Sequence, residues 1–140
     1  MGRIISIDYG LKRTGLAVTD PFQIIATGLT TIASPGLIGF LKTYFAKETV
    51  DEIIIGEPRN LDNSDTHASE PVRAIIKRLK KEFPMMLLTT VDERYTSKLA
   101  SRAMIEMGMK KMQRRQKGLV DEIAATMMLQ EYMKQKSGEY

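Results

Sequence analysis

The 140-residue chain contains no cysteine and a single histidine, His67. Without cysteine there is no disulfide, no thiolate zinc site and no cysteine nucleophile, and one histidine rules out a histidine-rich metal site. Any metal ion must therefore be held by oxygen, which selects hard cations, magnesium or manganese above all. Long apolar runs are also missing, since none approaches the roughly 18 residues of a membrane span. The N-terminal IISI is too short for a secretory h-region before Asp8 interrupts it. The expected location is the cytoplasm, with no membrane partner. No internal repeat or low-complexity segment divides the chain. One domain over residues 1–140 is the expectation, as domains of about 100–150 residues are the commonest.

Charge of one sign is in only slight excess. There are 21 Lys and Arg against 17 Asp and Glu, a formal net charge of +4. Distribution says more than the total. Lys77, Arg78, Lys80 and Lys81 form one basic cluster, and Lys110, Lys111, Arg114, Arg115 and Lys117 form a denser one. Each reads either as a solvated face or as a surface for a polyanion such as nucleic acid.

Among the residues that are present, the stretch 4–18, IISIDYGLKRTGLAV, is the most informative. An apolar strand delivers Asp8 into a turn, Gly10 and Gly15 permit tight turning or close approach, and Lys12 and Arg13 place positive charge beside the carboxylate. Such an arrangement suits a metal ion or a phosphate. The spacing predicts strands over 3–8, 14–19 and 24–32 as an antiparallel meander, then a helix over 34–47 with Ser34 as its cap and Pro35 in the first turn. A buried strand over 52–56, a loop over 57–65, a helix over 67–82 and a strand over 86–91 follow. Helices over 97–107 and 119–136 complete the order βββαβαβαα. This is an α/β pattern, a mixed five-stranded sheet flanked by helices, because each crossover between parallel strands needs a helix.

Ligands collect at strand ends in such sheets. Asp8 ends the first strand, Asp92 and Glu93 end the last, and Asp121 falls in the first turn of the final helix. Acids so far apart in sequence are what a two-metal site draws together. Alternatives stay open for each: Asp8 could begin a turn, Asp92 or Glu93 could cap a helix near Thr96, and Asp121 could complement a helix dipole. Ala124 and Ala125 lie on the same side of the helix as Asp121, and small residues there would allow close contact with a sheet. Glu57 ends a strand as well and is a reserve ligand.

Four motifs together resemble the YqgF/RuvX family, relatives of RuvC-type resolvases within the RNase H-like nuclease superfamily. Residues 8–17, DYGLKRTGLA, fit D-x-G-x-x-R-x-G-x-A; residues 56–62, GEPRNLD, resemble G-x-P-x-N-x-D; residues 92–96, DERYT, fit D-E-R-x-T; and residues 117–125, KGLVDEIAA, match the last-helix signature. Each motif is weak alone, but four in order at family-like spacing are strong. Two departures are visible: Asn63-Ser64 follows Asp62 where Gly-Thr is usual, and Glu57 stands where an apolar residue is common.

The resemblance implies an RNase H-like fold and a metal-dependent phosphodiester hydrolase. By that resemblance Asp8, Glu93 and Asp121 are both the catalytic acids and the ligands of magnesium or manganese, with two ions expected, and Glu57 or Asp92 could take the place of Glu93. Lys12, Arg13, Arg59, Asn60, Arg94, Arg114, Arg115 and Lys117 are the expected nucleic-acid contacts. The expected substrate is the precursor of 16S rRNA, matured at its 5′ end, with a four-way DNA junction as the alternative and a non-catalytic RNA-binding module as a reading of another class. A sugar-kinase-like or actin-like phosphotransferase also opens on D-x-G, but it needs a second lobe that this length cannot supply. A monomer or a homodimer fits either nuclease role.

Overall fold

The computed structural model describes residues 2–57, 69–92 and 117–138. Strands β1 (Arg3–Tyr9), β2 (Arg13–Thr19) and β3 (Ala26–Ala33) lead through a 3-10 turn (Ser34–Gly36) into helix α1 (Leu37–Lys47). Strand β4 (Val50–Glu57), helix α2 (Ser69–Glu82), strand β5 (Leu87–Asp92) and helix α3 (Lys117–Ser137) follow. The sheet has the order β3-β2-β1-β4-β5. Its first three strands pair antiparallel, and β4 runs parallel to both β1 and β5. This is the RNase H-like arrangement. The helix expected over 97–107 lies outside the described residues.

Strands β1 and β4 read as continuous apolar runs because both of their faces are covered. On one face Ile5, Ile7, Leu16, Val18, Ile53 and Ile55 pack against Leu37, Ile38 and Leu41 of α1 and Val72, Ile75 and Leu79 of α2. On the other, Ile4, Ala17 and Ile54 meet Ala125, Met128 and Leu129 of α3. The first face carries the bulk of the branched side chains, each worth about 1.5–3 kcal/mol when fully buried. The second is thinner. There the Ser6 hydroxyl reaches across and donates to the Ala125 carbonyl at 2.9 Å, which a thick hydrophobic layer would not allow.

A bulge in β3 sets which residues look toward α3. Leu16 pairs with Thr30 but Ala17 pairs with Gly28, so Leu29 is the extra residue. Leu29 joins the α1/α2 core, while Gly28 and Thr31 both come to lie against α3.

Most element ends fall within one or two residues of expectation, and three of the differences bear on the site. The third strand starts at Ala26 rather than residue 24, because the Asp20 carboxylate accepts the backbone N–H groups of Phe22, Ile24 and Ile25 and holds them as a loop. Those hydrogen bonds lower the Asp20 pKa, Ile25 first, and they leave Ile24 and Ile25 exposed at 70% and 64%. Ser34 does not cap a helix: Ala33 occupies the cap position and no side chain caps there. The Ser34 hydroxyl is buried instead, donating to the Gly10 carbonyl at 2.5 Å, so its single hydrogen is used and Thr14 donates to it at 2.8 Å. The last helix begins at Lys117 rather than residue 119, which moves Asp121 out of its first turn.

At the far end of the α3 face, Glu52 is 1% exposed. A buried carboxylate is costly unless donors surround it. Thr89 donates to it at 2.8 Å, the Tyr132 hydroxyl donates to the same oxygen, and the Lys136 ammonium lies 3.2 Å from the other. This cluster ties the C-terminal half of α3 to β4 and β5. Burial, and then the bond to Glu52, push the Tyr132 phenol above its ordinary value.

Replacing Tyr132 with Phe removes a hydrogen bond to a charged acceptor and should cost about 1.5–3 kcal/mol in urea unfolding. Because the folded phenol pKa is raised, its contribution is complete below the ordinary value of about 10 and is lost as pH climbs through the folded value. The wild type should therefore lose stability more steeply than the Phe variant on alkaline titration; parallel curves would contradict this.

Candidate functional site

Parallel pairing of β1, β4 and β5 gathers the C-terminal ends of all three strands at one edge of the sheet, and Asp8, Glu57 and Asp92 stand there. Side chains alternate between faces along each strand, so the face of each acid follows from its neighbours. In β1, Ile4 and Ser6 meet α3, which puts Asp8 on the α3 face. Glu57 and Asp92 are register partners in β4 and β5. Ile53, Ile55 and Leu88 pack toward α1 and α2, so Glu57 and Asp92 share that opposite face. The three strand-end acids thus separate into one and two.

Asp121 joins Asp8. Gly15 is the direct register partner of Asp8, and directly opposed residues of an antiparallel pair present their side chains on one face. A Cβ on Gly15 would overlap the Asp121 carbonyl and crowd the Glu122 amide. The helix backbone at Asp121 therefore rests on the strand position beside Asp8. Ala124 and Ala125, the small residues expected to permit this, are both buried. The start of α3 is held as well, by the Thr31 hydroxyl donating to the Gly118 carbonyl at 2.5 Å.

Arg13 completes the described part of the site. It has the same strand phase as Gly15 and Ala17, and its Nε lies 3.0 Å from Asp121 Oδ2, with the two side chains 40% and 24% exposed. The turn that carries it is rigidly seated. A Cβ on Gly10 would crowd the Arg13 carbonyl, the Ser34 hydroxyl binds the Gly10 carbonyl, and the Ser34 N–H donates to the Lys12 carbonyl at 3.0 Å. Lys12 is exposed in that turn. The Arg13–Asp121 pair had no signal in the sequence, since nothing in either segment sets the register of a helix on a strand.

Other expected contacts distribute differently. Glu93, Arg59, Asn60, Arg94, Arg114 and Arg115 lie outside the described residues, and Lys117 opens α3. The basic residues Lys77, Arg78, Lys80 and Lys81 are exposed on α2. Lys80 and Lys81 form its last turn, where they complement the helix dipole at the end of the sheet away from Asp8. That cluster is not part of the site.

Among the described residues no group of three His, Cys, Asp or Glu side chains could hold a metal ion. Asp8 and Asp121 bring two carboxylates to one face, an all-oxygen donor set that suits a hard divalent cation and needs at least one more ligand.

A family model described as RuvX: Holliday junction resolvase matches residues 2–135. The chain belongs to the RuvX family. A relative from Flavobacterium psychrophilum is 51% identical over 97% of this chain and 99% of its own length, and one from Bacteroides thetaiotaomicron is 48% identical over the same shares. Both carry the name "Putative pre-16S rRNA nuclease". Among solved structures the chain is similar to Archaeoglobus fulgidus Pelota, with a TM-score of 0.45 and 16% identity over 98% of this chain and 38% of that one. The family match spans all three segments that build the site, from β1 to α3.

Gly15→Ala should destabilise the protein by about 1–3 kcal/mol, as overpacking does, because the obstacle is helix backbone and not a flexible side chain. Gly36→Ala, where an added Cβ meets nothing within 4 Å, should stay within about 0.5 kcal/mol of wild type. Denaturant midpoints measure both, and equal effects would refute the close approach at Gly15.

Proposed function

We propose that this RuvX-family protein is a divalent-metal-dependent nuclease that cleaves phosphodiester bonds in the 16S rRNA precursor, with Asp8, Asp121 and Glu93 as the metal-holding acids. The observation that carries this reading is the seating of the Asp121 backbone on Gly15, the register partner of Asp8, which brings the two acid-bearing segments from opposite ends of the chain to one face at the strand ends. Asp92 is the last residue of β5 and looks toward the other face, as Glu57 does. That phase argues against either of them joining Asp8 and leaves the next position, Glu93, as the third acid in preference to both.

The hydrolysis needs an activated water and a stabilised leaving oxygen, and a pair of magnesium or manganese ions at such carboxylates supplies both. The chain's own part is to position. Asp8 sits on a central strand, and Asp121 sits on a helix whose distance from the sheet Gly15 sets. Preorganised carboxylates avoid the cost of gathering charges at the moment of reaction. Lys12 and Arg13 beside them, with Arg59, Asn60, Arg94, Arg114, Arg115 and Lys117 from the remaining motifs, bind the phosphate backbone. A location in the cytoplasm follows from an rRNA precursor as substrate. No helix among the described residues is long and apolar enough to cross a membrane. One domain, residues 1–140, carries the activity.

The family description favours a second substrate, a four-way DNA junction. Symmetric cutting of two strands requires two active sites, hence a homodimer, whereas RNA trimming is open to a monomer.

Purified protein should cleave a labelled 5′ precursor of 16S rRNA when manganese or magnesium is supplied. Asp8→Asn and Glu93→Gln should each lower the rate by more than about a hundredfold, beyond the 10- to 100-fold typical of outer-shell partners, with unchanged circular dichroism. Glu57→Gln should retain most activity. Cleavage of the DNA junction alone would move the substrate to DNA, and cleavage of neither would favour an RNA-binding module.

A further inference from the structure

We propose that Arg13 is a resident counter-cation of Asp121, holding its carboxylate in place when no metal is bound and competing with a divalent ion for the oxygen it contacts. The inference rests on the metal-holding role given to Asp8 and Asp121 above. Its own support is geometric. Arg13 Nε lies 3.0 Å from Asp121 Oδ2, on the sheet face that carries Asp8. The Asp121 backbone rests on Gly15, the register partner of Asp8, so two acids of like charge share this face, and a cation at either offsets the repulsion between them.

The pair is built to exchange. Both side chains keep partial access to water, 40% for Arg13 and 24% for Asp121, so neither is locked in place by desolvation. An ion pair of that exposure is worth no more than about 1 kcal/mol, which a divalent ion overcomes. The backbone around Arg13 is fixed by the Gly10 and Ser34 contacts, so its side chain can leave Asp121 without moving the turn. On this view Arg13 is a positioning residue for Asp121 and lowers the metal affinity of the free protein.

Manganese affinity, read from the free-ion electron paramagnetic resonance signal without substrate, tests this. Arg13→Gln should bind manganese about fivefold more tightly than wild type, the factor expected for removal of a competing exposed ion pair. Lys12→Gln removes an equal charge one residue away that is exposed in the turn, and it should change affinity less than about twofold. In an Asp121→Asn background the Arg13 effect should vanish, as a direct coupling requires. Unchanged or weaker binding by Arg13→Gln, an equal gain in Lys12→Gln, or an Arg13 effect that survives Asp121→Asn would each overturn the proposal. Wild-type protein that binds manganese but shows no Arg13 effect would sink this inference alone. Wild-type protein that binds no manganese would sink it together with the metal-dependent reading.

Discussion

Helix α3 can lie where it does only because the strands beneath it present almost nothing. Gly15 leaves room for the Asp121 backbone, Gly28 for the Glu122 side chain, and Ala17, Ala124 and Ala125 keep the contact thin there, while Ile4, Ile54, Met128 and Leu129 fill the rest of that face. The approach is close enough for a serine on β1 to reach a helix carbonyl. Were this layer as thick as the one under α1 and α2, Asp121 would stand several ångströms from the strand that carries Asp8. The two faces of the sheet therefore divide the work. The branched residues on one side supply most of the burial energy, and the small ones on the other set the distance at which the site is made.

A thin layer has its own weakness, because few buried methyl groups hold the helix down. Polar contacts take over at both ends of α3. The Thr31 bond to the Gly118 carbonyl secures its beginning, and the donors around Glu52 secure its C-terminal half. Hydrogen bonds are directional, so they fix the rotation and register of the helix more sharply than nonpolar contact does. The sealed acid at Glu52 and the half-buried or exposed acids at the strand ends thus have opposite characters on the same sheet. One is saturated with donors and sealed, and the others lie at an edge where a cation or a phosphate can reach them.

Among the described residues, charges of both signs meet at the site edge. Asp8 and Asp121 carry like charge, while Arg13 and Lys12 come from the turn between β1 and β2. Acids and bases are therefore delivered by neighbouring stretches of one hairpin and one helix. The rim keeps contact with water, which keeps each pairwise interaction small and exchangeable. The basic cluster on α2 does not share this edge, so the overall excess of positive charge says little about where a polyanion would lie.

Much of the fold was legible in the sequence. The apolar runs of β1 and β4, the 3.6-residue spacing of α2 and the turn chemistry gave the element order, and oxygen-only donors together with four motifs pointed to the RuvX family and its RNase H-like sheet. The face on which each acid lies was not legible. Alternation fixes phase within a strand, but phase between strands depends on pairing register, on the Leu29 bulge and on how a helix settles across them. Ser34 looked like a cap because a serine before proline is the local signature of one, yet a turn far upstream in sequence took its hydroxyl. Asp121 looked like a first-turn acid, and the longer helix gave it Arg13 as partner instead. Sequence alone determined which chemistry was possible here; tertiary structure decided which residues meet, because meeting depends on contacts between segments that no local pattern encodes.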